Sequence, residues 1–141
     1  MSAGDFALDL SDPQQSGVYQ AQTQDLDTMA ALARDAGLRI LRVDLAACAD
    51  KRTLLMRLAT QLDFPPGFGR NWDALSDALR DLSWLPAPRG YALLLDGADA
   101  LATHAPADRD SLLDILDEAA TTWAARGLSF AAFVAPASAC D

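Results

Sequence analysis

Histidine and cysteine are scarce in this chain, and their scarcity excludes most metal-dependent and nucleophilic chemistry. The 141 residues include one histidine, His104, and two cysteines, Cys48 and Cys140. These three residues cannot complete a tetrahedral zinc site without unusual help from carboxylates. Cys48 and Cys140 could pair, but two cysteines in a chain of this size are not a disulfide framework. We therefore predict no metal site, no cofactor and a reduced environment.

Long apolar runs are missing as well. The first ten residues have no basic start, and no stretch of the chain is both apolar and long enough to span a bilayer. We expect no signal peptide and no membrane partner, and hence a cytoplasmic protein. We also expect the free protein to be a monomer.

The motifs that mark the common enzyme classes do not occur. The chain has neither a Gly-x-Ser-x-Gly elbow nor a Walker phosphate loop. Gly67 and Gly69 precede a predicted helix, but a dinucleotide fingerprint needs a third glycine and a preceding strand. His104 lies in a predicted loop at residues 102–106, where solvation is the simplest interpretation. No carboxylate pattern indicates the buried pocket that a general acid requires, so we predict no catalytic residue and no enzyme activity.

Positive charge is the other deficit. Eleven Lys and Arg residues stand against 20 Asp and Glu residues, which gives a net charge of −9 and a pI near 4.3. A direct nucleic-acid ligand is excluded because phosphate contacts require a basic surface. Attraction to a strongly basic protein is favoured instead, although charge alone is better explained by solubility.

The apolar pattern that is present alternates between strands and helices. Residues 1–16 are polar and are predicted to be a flexible arm, whereas residues 17–141 are predicted to form one domain. Predicted strands lie at 18–21, 38–45, 91–96 and 128–135, and predicted helices at 25–36, 50–62, 72–83 and 109–126. This alternation predicts an α/β fold with a small, mostly parallel sheet of three to four strands flanked by helices.

The segment 64–82 is the most informative part of the chain. Two prolines and two glycines impose a shaped turn before a helix, and Asn71 is placed to cap that helix. Apolar residues recur on one side of the helix and aspartates on the other. The apolar residues are Trp72, Leu75, Leu79 and Leu82, and the aspartates are Asp73, Asp77 and Asp81. Carboxylates on one stripe repel one another, so the stripe predicts either full solvation or a cationic partner.

The segment from Gly67 to Leu79 resembles the signature of the barstar family, which comprises intracellular inhibitors of secreted microbial ribonucleases of the barnase type. The resemblance extends over about residues 38–135, so the predicted strand and helix before residue 38 are an addition to the family core. It implies a small parallel sheet flanked by helices. The shared signature positions are Phe68, Gly69, Asn71, Asp73, Ala74, Leu75, Asp77 and Leu79.

The resemblance also implies a binding site, because in that family the loop and the start of the helix plug the ribonuclease active site with acidic side chains. It assigns Asp77 to the phosphate site and Asp73 to basic residues near that site. Asn71 and Gly69 match loop contacts, while Glu118 and Ile115 match contacts on the last helix. Glu118 also continues a second acidic stripe with Asp110 and Asp114, separate from the apolar face of its helix.

Several alternatives stay open at this point. Phe68 is either a plug beneath the loop or an exposed anchor, and Asp73 either caps its helix, binds a partner or does both. Gly67 and Ser76 stand where the family often has aromatic residues. Arg80 either opposes docking on a basic cleft or pairs internally with Asp77 or Asp73. These departures support an alternative function, a protein-interaction module on the same fold whose partner is not a ribonuclease.

Overall fold

The computed structural model describes residues 9–136, and its centre is one sheet of four strands. The strands are β1 (Gly17–Gln20), β2 (Arg39–Asp44), β3 (Gly90–Asp96) and β4 (Ser129–Val134), in the spatial order β1-β4-β3-β2. All three pairings are parallel. The predicted α/β fold is confirmed, and the sheet proves to be wholly rather than mostly parallel.

Five α-helices connect the strands: α1 (Leu26–Asp35), α2 (Lys51–Gln61), α3 (Trp72–Asp81), α4 (Asp99–His104) and α5 (Pro106–Ala125). Two predictions are wrong here. The region around His104 is not a loop but the short helix α4, which packs through the fully buried Leu101. Helix α5 begins at Pro106 instead of Arg109, because a proline is well tolerated in the first turn, where its missing N–H has no partner anyway.

Both faces of the sheet are buried, which explains why β4 is apolar throughout. Phe130 and Val134 face a core formed with α2, α3 and α5, whereas Phe133 faces a second core formed with α1. Period-two alternation along each strand divides the side chains between these two cores. Helices α3 and α1 therefore lie on opposite faces of the sheet.

The described part of the N-terminal segment contacts the domain. Leu10 is buried in the α1 core, and the Ser16 hydroxyl accepts a hydrogen bond of 3.0 Å from the Phe130 N–H. Residues 1–8 of the predicted arm lie outside the described residues, and so does Cys140. Cys48 is buried, and it forms no disulfide bond within the described residues.

Candidate functional site

Asn71 organises the loop before α3 and the first turn of the helix. Its Oδ1 accepts a hydrogen bond of 2.8 Å from the Ala74 N–H, and its Nδ2 donates one of 3.2 Å to the Gly69 carbonyl. Asn71 itself has the extended backbone typical of an N-cap residue. One side chain thus fixes both the start of the helix and the path of the loop that leads to it, and the predicted cap is confirmed.

A cluster of aromatic rings packs between the same loop and the core of the protein. Phe68 meets Phe64 at 4.8 Å between ring centroids, and Phe64 meets Trp84 at 5.7 Å, both edge to face. The Trp84 indole N–H donates to the Leu62 carbonyl at 3.0 Å, which ties the cluster to the end of α2. Phe68 is half-buried against the core. Of the two alternatives for Phe68, the structure favours the plug beneath the loop.

Helix α3 separates its apolar and acidic side chains as its sequence predicts. Leu75 and Leu79 are buried in the core, whereas Asp73, Asp77 and Asp81 are all exposed. Asp73 lies in the first turn, where a carboxylate complements the positive end of the helix dipole. The acidic stripe therefore faces outward on a helix that core packing holds in place.

Three hydrogen bonds join α3 to α5 along their lengths. Ser76 Oγ donates to Glu118 Oε1 at 2.9 Å, and further along, the Trp123 indole N–H donates to the Leu79 carbonyl at 2.8 Å. At the end of both helices, a guanidinium N–H of Arg126 donates to the Arg80 carbonyl at 2.7 Å. Because the bonded positions advance together, the two helices run parallel and side by side.

This alignment brings the two acidic stripes into one surface. One turn before the Ser76–Glu118 contact, the helical repeat places Asp73 level with Asp114. Glu118 and Asp114 are exposed, and Ile115 between them is half-buried against the core. We call the surface formed by Asp73, Asp77, Asp81, Asp114 and Glu118 the acidic edge. The sequence predicts each stripe, and the Ser76–Glu118 hydrogen bond shows that the two helices that carry the stripes are neighbours.

Arg80 provides a positive charge within the acidic edge. Its Nη2 lies 2.8 Å from Asp77 Oδ1, and its Nε donates to the Ser76 carbonyl at 3.2 Å. Of the two alternatives for Arg80, the structure therefore shows internal pairing, with Asp77. Within residues 9–136, no ion pair involves Asp73, Asp81 or either acid that α5 contributes to the edge. The edge accordingly keeps most of its negative charge.

A shallow groove of about 310 Å³ runs along α3 on the side away from α5, and no pattern in the sequence predicts it. Phe64, Phe68 and Trp84 form its apolar wall, and Asp77 and Asp81 lie at its rim. The three aromatic residues were visible in the sequence on both sides of α3. Only the turn that folds the chain back over the helix brings them together.

The described residues offer little for catalysis or metal binding. Among residues 9–136 no group of three or more His, Cys, Asp or Glu side chains is arranged to hold a metal ion. Burial raises the pKa of the Cys48 thiol, so this thiol stays protonated and unreactive at neutral pH. Within the same residues, none of the helices combines the length and the hydropathy needed to cross a membrane.

Fold and site together define a small parallel α/β protein that presents carboxylates on two adjacent helices. The family model described as Barstar (barnase inhibitor) matches residues 38–135, more than two thirds of the chain. The chain belongs to the barstar family. The match confirms the predicted resemblance and its extent, and it leaves β1 and α1 outside the family core. A comparison with curated proteins finds none that matches this chain.

Proposed function

We propose that this protein is a cytoplasmic, non-enzymatic inhibitor that binds a basic ribonuclease and blocks its active site with the acidic edge. The observation that carries the proposal is the hydrogen bond of 2.9 Å between Ser76 and Glu118. It aligns α3 with α5, so that carboxylates from both helices face the same side. A monomer suffices for this role, because one chain supplies the whole edge.

Electrostatics supports a ribonuclease as the partner. A ribonuclease must hold RNA phosphates in its cleft and therefore carries positive charge there. Carboxylates on a protein of net charge −9 are attracted to such a cleft and occupy the positions that phosphates would take. Complementary charge of this kind speeds association, and added salt slows it.

Each side chain of the site has a proposed role. Asp77 is central on α3 and enters the phosphate-binding part of the cleft, while Asp73 pairs with cations at its border. Gly69 and Asn71 bring the loop backbone against the partner, and Phe68 fixes the shape of that loop from below. From α5, Glu118 adds a carboxylate and Ile115 adjacent apolar surface. Ser76 holds Glu118 in position, and Arg80 modulates the charge of Asp77.

Inhibition of RNA cleavage tests the proposal directly. A barnase-type ribonuclease is titrated with the native chain, with Asp77→Ala and with Asp35→Ala. Asp35 is an exposed carboxylate on α1, across the sheet, so both variants lose one negative charge but at different surfaces. We expect Asp77→Ala to raise the inhibition constant about 30-fold or more, which corresponds to about 2 kcal/mol at an interface hot spot. Asp35→Ala should inhibit like the native chain.

The Asp77–Arg80 ion pair favours one alternative function, binding of a protein that is not a ribonuclease. A partner with a purely basic cleft would have to accommodate or displace Arg80, and like charges brought together at an interface are costly. Absence of inhibition by the native chain at micromolar concentration would overturn the barnase-type pairing and favour this alternative. Inhibition that Asp77→Ala leaves unchanged would refute the proposed site.

A further inference from the structure

The groove beside α3 combines an apolar wall with a charged rim. Its wall consists of the rings of Phe64, Phe68 and Trp84, closed on the helix side by Ala78. The groove adjoins the acidic edge through Asp77, so a partner docked on that edge also covers the groove. Its occupant therefore belongs to the same partner.

The rim retains unused capacity for hydrogen bonding. Asp81 is exposed and accepts only a long contact of 3.4 Å from the Ser83 hydroxyl among the described residues. Asp77 uses Oδ1 for Arg80, while its Oδ2 receives no hydrogen bond from the described residues. The two carboxylates are one helical turn apart, so their Cβ atoms are separated by about 5–6 Å. A planar cation with several N–H donors could reach both.

We propose that the groove binds an arginine side chain of the protein partner, with its aliphatic stem against the aromatic wall and its guanidinium between Asp77 and Asp81. The proposal rests on the proposed function in one respect, that a protein docks on the acidic edge. It adds Trp84 and the groove to the docking surface, and it gives Asp81 a specific role there. It also defines the partner's chemistry: an exposed arginine next to the basic groups that engage Asp77.

Charge and shape favour arginine over the other candidates. An apolar side chain would fill the groove but would provide no counter-ion for the Asp81 carboxylate beside it. Lysine would supply the charge, but its ammonium is a compact and strongly hydrated group. A guanidinium is planar, is less strongly hydrated, stacks on aromatic rings and offers a fork of donors to carboxylates. The groove offers aromatic rings and carboxylates together.

The first test uses arginine alone as the probe and requires no ribonuclease. The ¹⁵N-labelled chain is titrated at low salt with N-acetyl-arginine methylamide and, in parallel, with the lysine analogue, while the indole N–H signals are followed. We expect the Trp84 signal to shift and to saturate, with lysine binding about threefold more weakly. Trp123, whose indole is buried against α3, should not shift and serves as an internal control.

Two variants test whether the arginine probe binds at Asp81. Asp81→Asn preserves the size of the side chain and changes only an exposed position, so it should fold normally and weaken arginine binding about two- to fivefold. Asp35→Asn on α1 is the matched control and should bind like the native chain. An absent Trp84 shift, or the same affinity in Asp81→Asn, would overturn the proposal.

The second test separates this inference from the proposed function. Inhibition of a barnase-type ribonuclease is measured with the native chain, with the same two variants and with Asp77→Ala, and Asp81→Asn should weaken it by a similar factor. Inhibition that depends on Asp77 but not on Asp81 would overturn the groove proposal and leave the proposed function standing. No inhibition by any variant would overturn the ribonuclease partner, and the arginine titration would then decide on the groove alone.

Discussion

Helices α1 and α3 lie on opposite faces of one sheet and differ in what they expose. Each buries an apolar face: Leu26 is fully buried under α1, as Leu75 is under α3. On the outer side of α1 the charges are mixed, since Asp27 pairs with Arg42 at 2.9 Å and Arg34 is exposed beside Asp35. On the outer side of α3 an aspartate recurs every fourth residue.

The exposed charges of the two helices differ in their effect on helix stability. Aspartates four residues apart repel each other by a few tenths of a kcal/mol per pair. On α3 the dipole interaction of Asp73 and the Asp77–Arg80 pair offset this cost only in part. Helix α1 avoids that cost with side chains of both signs. The physics of folding accounts for the buried face of both helices, and binding is the reason that we propose for the exposed face of α3.

Core truncation gives the largest expected effect and tests whether both faces belong to one folding unit. Leu75→Ala and Leu26→Ala should each lower the free energy of unfolding by about 2–5 kcal/mol, because each leaves a cavity in a closed core. Urea unfolding followed by circular dichroism measures both. If Leu26→Ala instead unfolded α1 locally and left the main unfolding transition unchanged, α1 would be a separate folding unit.

The helix cap at Asn71 gives an effect of intermediate size that is confined to the α3 face. Asn71→Ala removes the acceptor for the Ala74 N–H and should lower the free energy of unfolding by about 1 kcal/mol. Asn71→Asp keeps a capping oxygen and should restore most of the loss. Equal stability of the alanine variant and the native chain in urea would show that the cap contributes nothing.

Removal of Arg80 should make the α3 face more negative and so increase its difference in charge from the α1 face. Arg80→Ala frees the Asp77 carboxylate, and we expect binding of a barnase-type ribonuclease to tighten about two- to fivefold, mainly through faster association. Arg34→Ala on α1 is the control that removes the same charge from the other face. Stopped-flow association rates measure the effect. Weaker binding by Arg80→Ala would show that the partner uses Arg80 directly.

The smallest expected effect is on stability at acidic pH. It arises because α2 is capped by Asp50, which titrates, whereas α3 is capped by Asn71, which does not. Hydrogen bonding from the Thr53 N–H to the Asp50 carboxylate lowers the pKa of Asp50 below its ordinary 3.8. A lowered folded-state pKa gives stability that is present above the ordinary pKa and is lost as the pH falls through the lowered value.

The asparagine cap of α3 has no such dependence. We therefore expect the difference in free energy of unfolding between the native chain and Asp50→Asn to be constant from pH 7 to about pH 4. Below about pH 4 the difference should change, because the native chain loses stability there. Unfolding curves recorded between pH 7 and pH 2 measure it. A difference that stays constant over the whole range would contradict this account of the cap.

Local patterns predicted much of this structure. The opposed apolar and acidic spacing on α3 and the cap at Asn71 depend only on residues within a few positions of one another. The apolar run of β4 likewise predicted a strand covered on both faces. Helix α4 was missed because six residues carry too little periodicity to be distinguished from a loop.

Features that depend on contacts between residues far apart in the chain could not be predicted from the sequence. The Ser76–Glu118 contact spans 42 positions, and the groove joins Phe64 and Trp84 across α3. The sequence offered two outcomes for Arg80, and only the side-chain geometry decided for the pair with Asp77. The residues of the candidate site were therefore named from the sequence as a prediction, whereas its charge balance and shape required the fold.

Amide hydrogen exchange in the presence and absence of a barnase-type ribonuclease tests most directly which face docks. We predict that binding slows exchange in residues 67–81 and 114–118 and leaves residues 26–35 of α1 unchanged. Protection confined to residues 26–35, with none in residues 67–81, would contradict the claim that the acidic edge is the docking surface.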